Sequence, residues 1–354
     1  MTEYVIGSNE AGQRLDKFLG KYMPLAPKSF FYKMLRKKNI TLNGKRAAGS
    51  EKLTEGDAIR FFLSDETICK FSACSENISG PAGSGEPISA DDPDILYEDQ
   101  NTLFINKPAG VLSQKASADD LSLVEQLTSY LLRSGQITGK DLRTFHPAVC
   151  NRLDRNTSGI VAAGKSLAAL QELSAIFRER SLHKYYLCLV SGRVDKSARI
   201  TGYIVKDSRT NRVRFSQTDT PGSSKIETEY RPLCTGDHVT LLEVRLITGK
   251  THQIRAHLAS QGHPIIGDYK YGIRKINDRY RDAYGLRSQL LHAARLVIPQ
   301  NCTGVLAGLS GKLICAPLPD LFRKICEEEH IRKDLLIWPR GVQEDSEDQP
   351  WRSS

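Results

Sequence analysis

The sequence predicts an α+β fold, in which a large domain built on a mixed, largely antiparallel sheet follows a small α/β domain. Two observations predict it. Apolar and polar residues alternate with period two in runs such as KIETEYRPLC and VTLLEVRLITG, as expected for strands with one buried face. Amphipathic helical stretches such as SLAALQELSAIFRER interrupt these runs irregularly, which favours α+β over a regular alternation of parallel strands and helices.

Length and composition set broad limits. The 354 residues, 40% hydrophobic and 26% charged, are enough for two domains with sizeable cores. No apolar run approaches the roughly 20 residues needed to cross a bilayer, and MTEYVIGSNEAGQRL lacks the pattern of a secretory signal. We therefore expect a cytoplasmic protein without a membrane partner. The eight cysteines form no C-x-x-C pair, which predicts free thiols.

Residues 12–63 are predicted to form the small domain. RLDKFLGKYM and SFFYKMLRKKN place apolar residues at helical spacing, with basic residues on the opposite face. Asn43-Gly44 then predicts a tight hairpin turn. The stretch LTEGDAIRFFL predicts a second turn and a further strand.

The positive charge of the chain is concentrated in this domain. The whole chain carries a formal net charge of +9, and between Gly12 and Phe62 twelve Lys or Arg stand against four Asp or Glu. Such a local excess indicates a polyanionic partner.

The order of these elements, with a basic second helix beside a basic LNGK hairpin and a late EGD turn, resembles the S4-like RNA-binding domain. A run of charge at a helix end is otherwise most often a solvated surface. The resemblance implies that structured RNA is the partner. The candidates for contacting the RNA backbone are Lys28, Arg36, Lys37, Lys38, Lys45 and Arg46.

Two segments differ in composition from the predicted domains. Residues 64–92 are rich in Ser, Gly, Pro and acidic residues and are predicted to be a flexible linker. Their glycines do not lie between a strand and a helix, so no nucleotide cofactor is expected there. The acidic end, residues 341–354, is predicted to be disordered. The large domain therefore occupies residues 93–340.

The stretch HPAVCNRLDRNTSG carries a single carboxylate, Asp154, between Arg152 and Arg155. Nearby positive charge favours the ionised form of a carboxyl group, which can act as a nucleophile or a base. The Thr-Ser-Gly segment predicts a tight connection that holds Asp154 at the start of the apolar strand IVAAG. Taken alone, the pattern is explained equally well by a structural salt bridge.

Four further motifs accompany RLDRNTSG in a fixed order. They are NKPAGV before it and then KYYLCLVSG, TGKTHQIRAHL and LHAARL after it. With these motifs the large domain resembles the RluA family of pseudouridine synthases. The resemblance implies a pseudouridine synthase catalytic domain that isomerises specific uridines of structured RNA, with large-subunit ribosomal RNA as the expected substrate.

The resemblance also implies roles for single residues. Asp154 corresponds to the catalytic aspartate, and Arg255 is expected to pair with it. Tyr186 is expected to stack on the target base and is a candidate for taking a proton from the sugar. Arg152 is expected to fill the gap that the extruded nucleotide leaves in the base stack.

The chemistry fits these residue types. The isomerisation breaks the bond from uracil N1 to the sugar and joins C5 to the same carbon, so we expect no cofactor and no metal. One carboxylate can attack or stabilise an oxocarbenium-like sugar. Whether Asp154 attacks the sugar, attacks the base or removes the C2′ proton is left open. Extruding a nucleotide costs a few kcal/mol, which suits a cationic wedge at Arg152.

Two other functions compete with this interpretation. A non-catalytic RNA-binding or ribosome-assembly factor would use the same basic surface, although the intact Asp154 and Tyr186 oppose it. A glycosidase-like hydrolase needs two carboxylates, and the motifs hold one. His252 and His257 lack the H-E-x-x-H spacing of a zinc site. We expect the protein to be a monomer.

Overall fold

The computed structural model describes residues 1–7, 9–72, 92–117, 120–139, 141–207, 212–337 and 339–344. It consists of two compact units. The N-terminal unit comprises residues 1–92, 124–148 and 164–172, and the main unit comprises residues 93–123, 149–163 and 173–354.

The N-terminal unit extends beyond the predicted small domain, because it includes two segments that were assigned to the large domain. Within this unit the Thr144 hydroxyl donates a 2.6 Å hydrogen bond to the buried Glu10 carboxylate. Lys165 likewise donates to Gln136. A domain boundary drawn from composition misses such long-range contacts.

The elements within residues 1–72 follow the predicted order, with one added strand and one added helix. They are β1 (Thr2–Val5), α1 (Leu15–Tyr22), α2 (Lys28–Arg36), β2 (Ile40–Leu42), β3 (Ala58–Phe61) and α3 (Asp65–Phe71). The strands form an antiparallel sheet in the order β1-β3-β2. Phe18, Phe31 and Phe61 are buried in one core.

The predicted turn at Asn43-Gly44 is confirmed. Both residues have positive φ, 50° and 73°, and the flanking Leu42 and Lys45 exchange backbone hydrogen bonds of 3.0 and 2.9 Å. Two left-handed residues between paired positions are typical of the hairpin turn that matches strand twist.

The prediction of a flexible linker is wrong at its start, where α3 replaces it. The hydroxyl of Ser64 accepts a hydrogen bond from Thr67 N and so caps the helix. Phe71 packs on Phe30 with ring centroids 4.7 Å apart, and this apolar contact stabilises the helix. The rest of the predicted linker, residues 73–91, lies outside the described residues.

The main unit contains one twelve-stranded sheet. Its strands are β4 (Ile95–Glu98), β5 (Thr102–Lys107), β6 (Ala148–Val149), β7 (Ser158–Gly164), β8 (His183–Ser191), β9 (Ala198–Asp207), β10 (Arg212–Ser216), β11 (Ser224–Thr235), β12 (Val239–Leu246), β13 (Leu291–Val297), β14 (Lys312–Cys315) and β15 (Gly341–Glu344). The order along the sheet is β10-β9-β11-β12-β8-β13-β7-β5-β4, with β14 on β13, β15 on β14 and β6 on β7.

The mixed, largely antiparallel sheet was predicted correctly. β13 pairs with β7 in parallel, whereas the pairings from β8 through β12 and β11 to β9 are antiparallel. Five α-helices accompany the sheet strands in the sequence. They are α4 (Leu123–Arg133), α5 (Leu167–Glu179), α6 (Gln253–Ser260), α7 (Arg274–Tyr284) and α8 (Asp320–Glu328).

The predicted disordered tail is also wrong at its start. Residues 341–344 form β15, which pairs antiparallel with β14, and Val342 packs against a core cluster of the main unit. Residues 345–354 lie outside the described part of the chain. Within the described residues no helix is both long and apolar enough to span a bilayer.

Candidate active site

Asp154 lies in a fixed turn between β6 and β7. Thr157 N donates a 3.0 Å hydrogen bond to the Asp154 carbonyl. Before Asp154, the backbone of Leu153 is held by the buried Ser113 hydroxyl. This hydroxyl lies 3.0 Å from Leu153 N, which donates to it, and 3.0 Å from the Leu153 carbonyl oxygen, to which it donates. These bonds hold the backbone before and after Asp154, so its carboxylate is presented from a rigid support.

The start of β7 is held against β13. Gly159 pairs with Ala293 and has φ of 111°. A Cβ atom at Gly159 would lie 2.3 Å from the Ala293 carbonyl oxygen, so only glycine permits this close approach. Next to it, the Ser158 hydroxyl is 2.9 Å from Nδ1 of the fully buried His292. The strand thus begins within the predicted Thr-Ser-Gly connection, at Ser158.

The structure brings Arg255 to Asp154. From the first turn of α6, Arg255 Nη1 donates a 2.8 Å hydrogen bond to Asp154 Oδ2. The same guanidinium donates from Nε and Nη2 to the two oxygens of Asp268, at 2.7 and 2.9 Å. The Asp268 side chain is 1% exposed and that of Asp154 is 26% exposed. The buried carboxylate therefore anchors the arginine, and the accessible one faces the cavity.

Neither arginine next to Asp154 in the sequence forms an ion pair with it among the described residues. Arg155 points to the Gly110 carbonyl, with Nε 3.0 Å away. Arg152 is exposed and has no ion pair among the described residues. The cation comes from α6, 101 residues along the chain.

Burial and charge act in opposite directions on the pair of Arg255 and Asp268. Burial lowers the pKa of the Arg255 guanidinium, but the two carboxylates raise it by more than burial lowers it. The pKa of Arg255 therefore lies above its usual value. Burial raises the pKa of Asp268, but the hydrogen bonds and charge of Arg255 bring it below its usual range. Both groups are therefore ionised at neutral pH.

Tyr186 lies on β8 in the wall of the same cavity. Only 7% of the residue is exposed. Burial, and then the charge of Asp154, raise the pKa of its hydroxyl well above the usual value, so the hydroxyl stays protonated. It has no hydrogen-bond partner among the described residues, and it is therefore free to interact with a substrate.

His252 supports the site as an uncharged group. It precedes α6 with φ of 53°, its Nδ1 is 2.9 Å from the Tyr271 hydroxyl, and its Nε2 is 3.9 Å from Asp154 Oδ2. Burial lowers the pKa of His252 to about 4. The Tyr271 ring in turn lies 5.2 Å from the Arg255 guanidinium.

These side chains meet at a cavity of about 550 Å³. Its described lining contains one acidic residue, Asp154, and six Lys or Arg residues, of which Arg255 is the one paired with Asp154. The other five are Arg152, Arg178, Arg180, Lys184 and Lys250. Such a volume is within the range of small-molecule sites, and the basic rim suits a nucleotide that carries phosphates.

A family model described as RNA pseudouridylate synthase matches residues 101–260, and a model of the S4 domain matches residues 13–59. Ribosomal large subunit pseudouridine synthase C of Vibrio cholerae is 33% identical over 293 residues, which are 82% of this chain and 86% of that protein. The protein of the same name from Escherichia coli is 33% identical over 304 residues, 84% of this chain and 89% of its own length.

The chain belongs to the RNA pseudouridylate synthase family. Human RNA Pseudouridylate Synthase Domain Containing 1 has a similar fold, with a TM-score of 0.53 and 25% identity over 76% of this chain and 97% of that one. This synthase is therefore an isomerase, and the resemblance found in its motifs is confirmed. The non-catalytic alternative is not supported.

The structure exposes all six basic residues that were predicted to contact RNA in the S4 domain. Arg36, Lys37 and Lys38 lie together at the end of α2, and Lys45 and Arg46 directly follow the Asn43-Gly44 turn. Lys28 begins α2, about 12 Å along the helix axis from Arg36. These residues have no ion pair in the described part of the chain.

Sequence reasoning missed two residues that position the catalytic groups of the synthase. Asp268 anchors Arg255, and the buried Gln253 joins the Thr248–Lys250 turn to β11. Gln253 Oε1 accepts from the Thr248 hydroxyl at 2.8 Å, and its Nε2 donates to the Glu227 carbonyl at 2.9 Å. Gln253 lies within the motif TGKTHQIRAHL, and Asp268 follows ten residues after its end, where it is the one acidic residue of HPIIGDYKYG.

Lys107 of the NKPAGV motif is wholly buried behind the Asp154 turn. Its ammonium donates to the carbonyls of Pro108, Val111 and Arg155 at 2.9, 2.8 and 3.1 Å. Burial lowers the pKa of Lys107 to about 7. These contacts give Lys107 a structural role, because they hold the loop behind the Asp154 turn. Among the described residues, no three His, Cys, Asp or Glu side chains are grouped so as to hold a metal ion.

Proposed function

We propose that this synthase converts uridine to pseudouridine in large-subunit ribosomal RNA and that Asp154 carries out the chemical step. One observation carries the proposal: the carboxylate of Asp154 is held by a doubly anchored arginine at the wall of a cavity whose other charged lining residues are basic. The proposed substrate rests on the relatives named ribosomal large subunit pseudouridine synthase C.

Asp154 and Arg255 act as a unit in this proposal. Arg255 keeps the carboxylate oriented, because its other two nitrogens are fixed by Asp268. The carboxylate then acts on the nucleotide as charge develops on the sugar or the base. A preorganised group of this kind needs no rearrangement during the reaction.

Tyr186 and Arg152 receive the extruded nucleotide. The Tyr186 ring provides a flat apolar surface, on which any base can stack. Its free hydroxyl is available to the sugar. Arg152 is exposed at the cavity and unpaired among the described residues, so it is able to enter the gap left in the RNA.

The S4 domain holds the structured RNA through its backbone. Lys28, Arg36–Lys38 and Lys45–Arg46 form an exposed basic surface without acidic partners in the described residues. Contacts with phosphates contribute affinity without reading sequence. The choice of uridine is then made by the main unit.

The protein acts in the cytoplasm, as a monomer and without a cofactor, in this proposal. The reaction exchanges one bond to the sugar for another and consumes no reductant or nucleotide. Gel filtration with light scattering checks the monomer, for which the chain mass is 39.5 kDa.

The substrate is tested with RNA tritiated at uridine C5, because that hydrogen is released only when C5 becomes the glycosidic carbon. Large-subunit ribosomal RNA, small-subunit ribosomal RNA and transfer RNA would each be taken from cells lacking this gene. We expect release from large-subunit RNA alone. Release from transfer RNA alone would replace the proposed substrate, and binding of RNA without any release would contradict the proposed reaction.

A further inference from the structure

Lys184 is a buried cation in the wall of the catalytic cavity. It is 9% exposed and lies two residues before Tyr186 on β8. Side chains two apart on a strand point to the same face, and both residues line the cavity. Tyr185 points to the other face, where its ring lies 4.8 Å from the Arg295 guanidinium. The ammonium of Lys184 and the ring of Tyr186 therefore belong to one wall.

The described residues provide no partner for this ammonium. The Lys184 side chain makes no hydrogen bond and no ion pair with any of them. Its ammonium nitrogen lies beside Gly249, where a Cβ atom would be 3.5 Å away. Burial lowers the pKa of Lys184, and the positive charge of Arg180 lowers it further.

Arg180 is a second unpaired cation of the cavity. It follows α5 with φ of 60°, a left-handed conformation that is unfavourable for a long side chain. It is exposed and has no partner in the described residues, whereas nearby Arg178 lies 3.6 Å from Glu179. This conformation ends α5, where Ser181 N donates to the Ile176 carbonyl at 3.2 Å, and Arg180 lines the cavity directly after it.

A buried cation such as Lys184 without an acidic partner is unfavourable for the fold on its own, whereas the exposed Arg180 is solvated. A buried charge is stabilised only when a partner of opposite charge or good hydrogen bonding replaces water. Asp154, the acid of the described lining, is already bonded to Arg255. The missing partner is therefore an anion that enters with the ligand.

We propose that Lys184 and Arg180 form a phosphate subsite, which binds an RNA backbone phosphate adjacent to the extruded uridine. An ammonium is a compact point charge with three donors and suits phosphate oxygens. Binding the phosphate on the wall that carries Tyr186 would set the position of the base over the ring and of the sugar at Asp154. The inference rests on the proposed function only in taking RNA as the ligand.

Thermal unfolding separates this subsite from a structural role. Lys184→Met removes the unpaired charge and keeps the length of the side chain, so we expect the RNA-free protein to keep or increase its Tm. A lysine that stabilises the fold would give a lower Tm. Lys196→Met, at an exposed position outside the cavity, is the matched control for loss of a positive charge.

The salt dependence of binding to a large-subunit ribosomal RNA transcript measures the phosphate contact. We expect Lys184→Met to bind about tenfold more weakly, because hydrogen bonds to charged groups are the stronger ones. The slope of log K against log salt should become shallower by about 0.7 to 0.9. Arg180→Asn tolerates the left-handed backbone and should change binding in the same direction, while Lys184→Arg should keep the slope.

Two results would overturn the subsite. One is a salt slope of Lys184→Met equal to that of the intact chain, with an affinity no lower than that of Lys196→Met. The other is a fall in kcat for tritium release at unchanged KM, which would assign Lys184 to the chemistry. If the intact protein binds RNA but releases no tritium, the proposed function fails, and the salt slopes still decide the subsite.

Discussion

At the scale of single residues, the site depends on how one guanidinium is shared. Arg255 uses Nε and Nη2 for Asp268 and Nη1 for Asp154. The planar guanidinium donates two parallel hydrogen bonds to the carboxylate of Asp268, and one nitrogen remains to donate to the carboxylate of Asp154. Asp268 therefore controls the position of Asp154 without touching the cavity.

Asp268→Asn tests this control. An amide cannot supply two acceptors and a negative charge, so Arg255 loses its buried counterion. We expect the free energy of unfolding to fall by about 3 kcal/mol and the rate of tritium release by about 100-fold, since a displaced catalytic group is costly. Asp278→Asn, in an exposed ion pair with Arg281, is the control and should change stability by at most about 1 kcal/mol. Full activity in Asp268→Asn would contradict the positioning role.

Tyr186→Phe separates the ring from the hydroxyl. The phenyl ring keeps the stacking surface, so we expect the KM for RNA to stay within about twofold. The hydroxyl, which is protonated and therefore a hydrogen-bond donor, is lost, and we expect kcat to fall by about 100-fold, as for the loss of one positioned donor. Tyr186→Ala should raise KM as well. An unchanged kcat in Tyr186→Phe would leave the hydroxyl without a role.

The pairing of Asp154 with Arg255 was predictable from the motifs, whereas its surroundings were not. Proximity in sequence suggested Arg152 and Arg155, but a turn directs successive side chains to different sides. The anchoring Asp268 is 13 residues from Arg255, beyond α6, and no local periodicity links the two. Contacts of this kind are set by the tertiary fold.

At the scale of elements, the parallel pair β7–β13 fixes the Asp154 turn. Its register places Gly159 opposite Ala293. The contact at Gly159 involves backbone atoms, which have no freedom to rotate away as a side chain would. The position of the catalytic turn therefore depends on the absence of a single methyl group.

Gly159→Ala should disrupt this pairing. We expect a loss of about 3 kcal/mol in the free energy of unfolding, from overpacking and an unfavourable backbone conformation together. Gly110→Ala is a matched control, because Gly110 has φ of 95° and no atom within 4 Å of the added Cβ. We expect the free energy of unfolding of Gly110→Ala to be lower by about 1 kcal/mol. Chemical denaturation measures both, and equal losses would show that backbone strain alone accounts for the effect.

Strands with one buried face were predicted well, and elements without a polar–apolar contrast were not. The alternation in β11 was visible because its buried residues alternate with more exposed ones. β12 was recognised as a strand as well, although Val239–Val244 are all buried, so both of its faces are covered there. In α6, residues Gln253–Leu258 are all buried, including a glutamine, an arginine and a histidine. In the sequence, polar residues that are buried through hydrogen bonds and ion pairs cannot be distinguished from the polar residues of a surface loop. The sequence analysis therefore did not predict the helix that carries Arg255.

At the scale of the whole molecule, buried neutral histidines make the fold sensitive to acid. His257 and His292 are fully buried, and burial lowers the pKa of each to about 4. An unfolded histidine has a pKa of about 6.5. Between these values the unfolded chain binds protons that the folded chain does not, so the unfolded state is favoured as pH falls.

We expect the free energy of unfolding to be highest above about pH 6.5 and to decrease from there to pH 4, by roughly 3 kcal/mol for each of the two histidines. His257→Gln should reduce this dependence. His238→Gln, at an exposed position, should leave it unchanged. Urea denaturation at a series of pH values measures the slope, and a slope unaffected by His257→Gln would contradict the assignment.

The central claim is that Asp154 carries out an isomerisation of uridine, and tritium release from C5 tests it most directly. The intact protein and Asp154→Asn would be compared on large-subunit ribosomal RNA from cells lacking this gene. We predict release by the intact protein, a rate lower by about 1000-fold in the variant, and similar RNA affinity for both. Release by Asp154→Asn at the rate of the intact protein would contradict the claim.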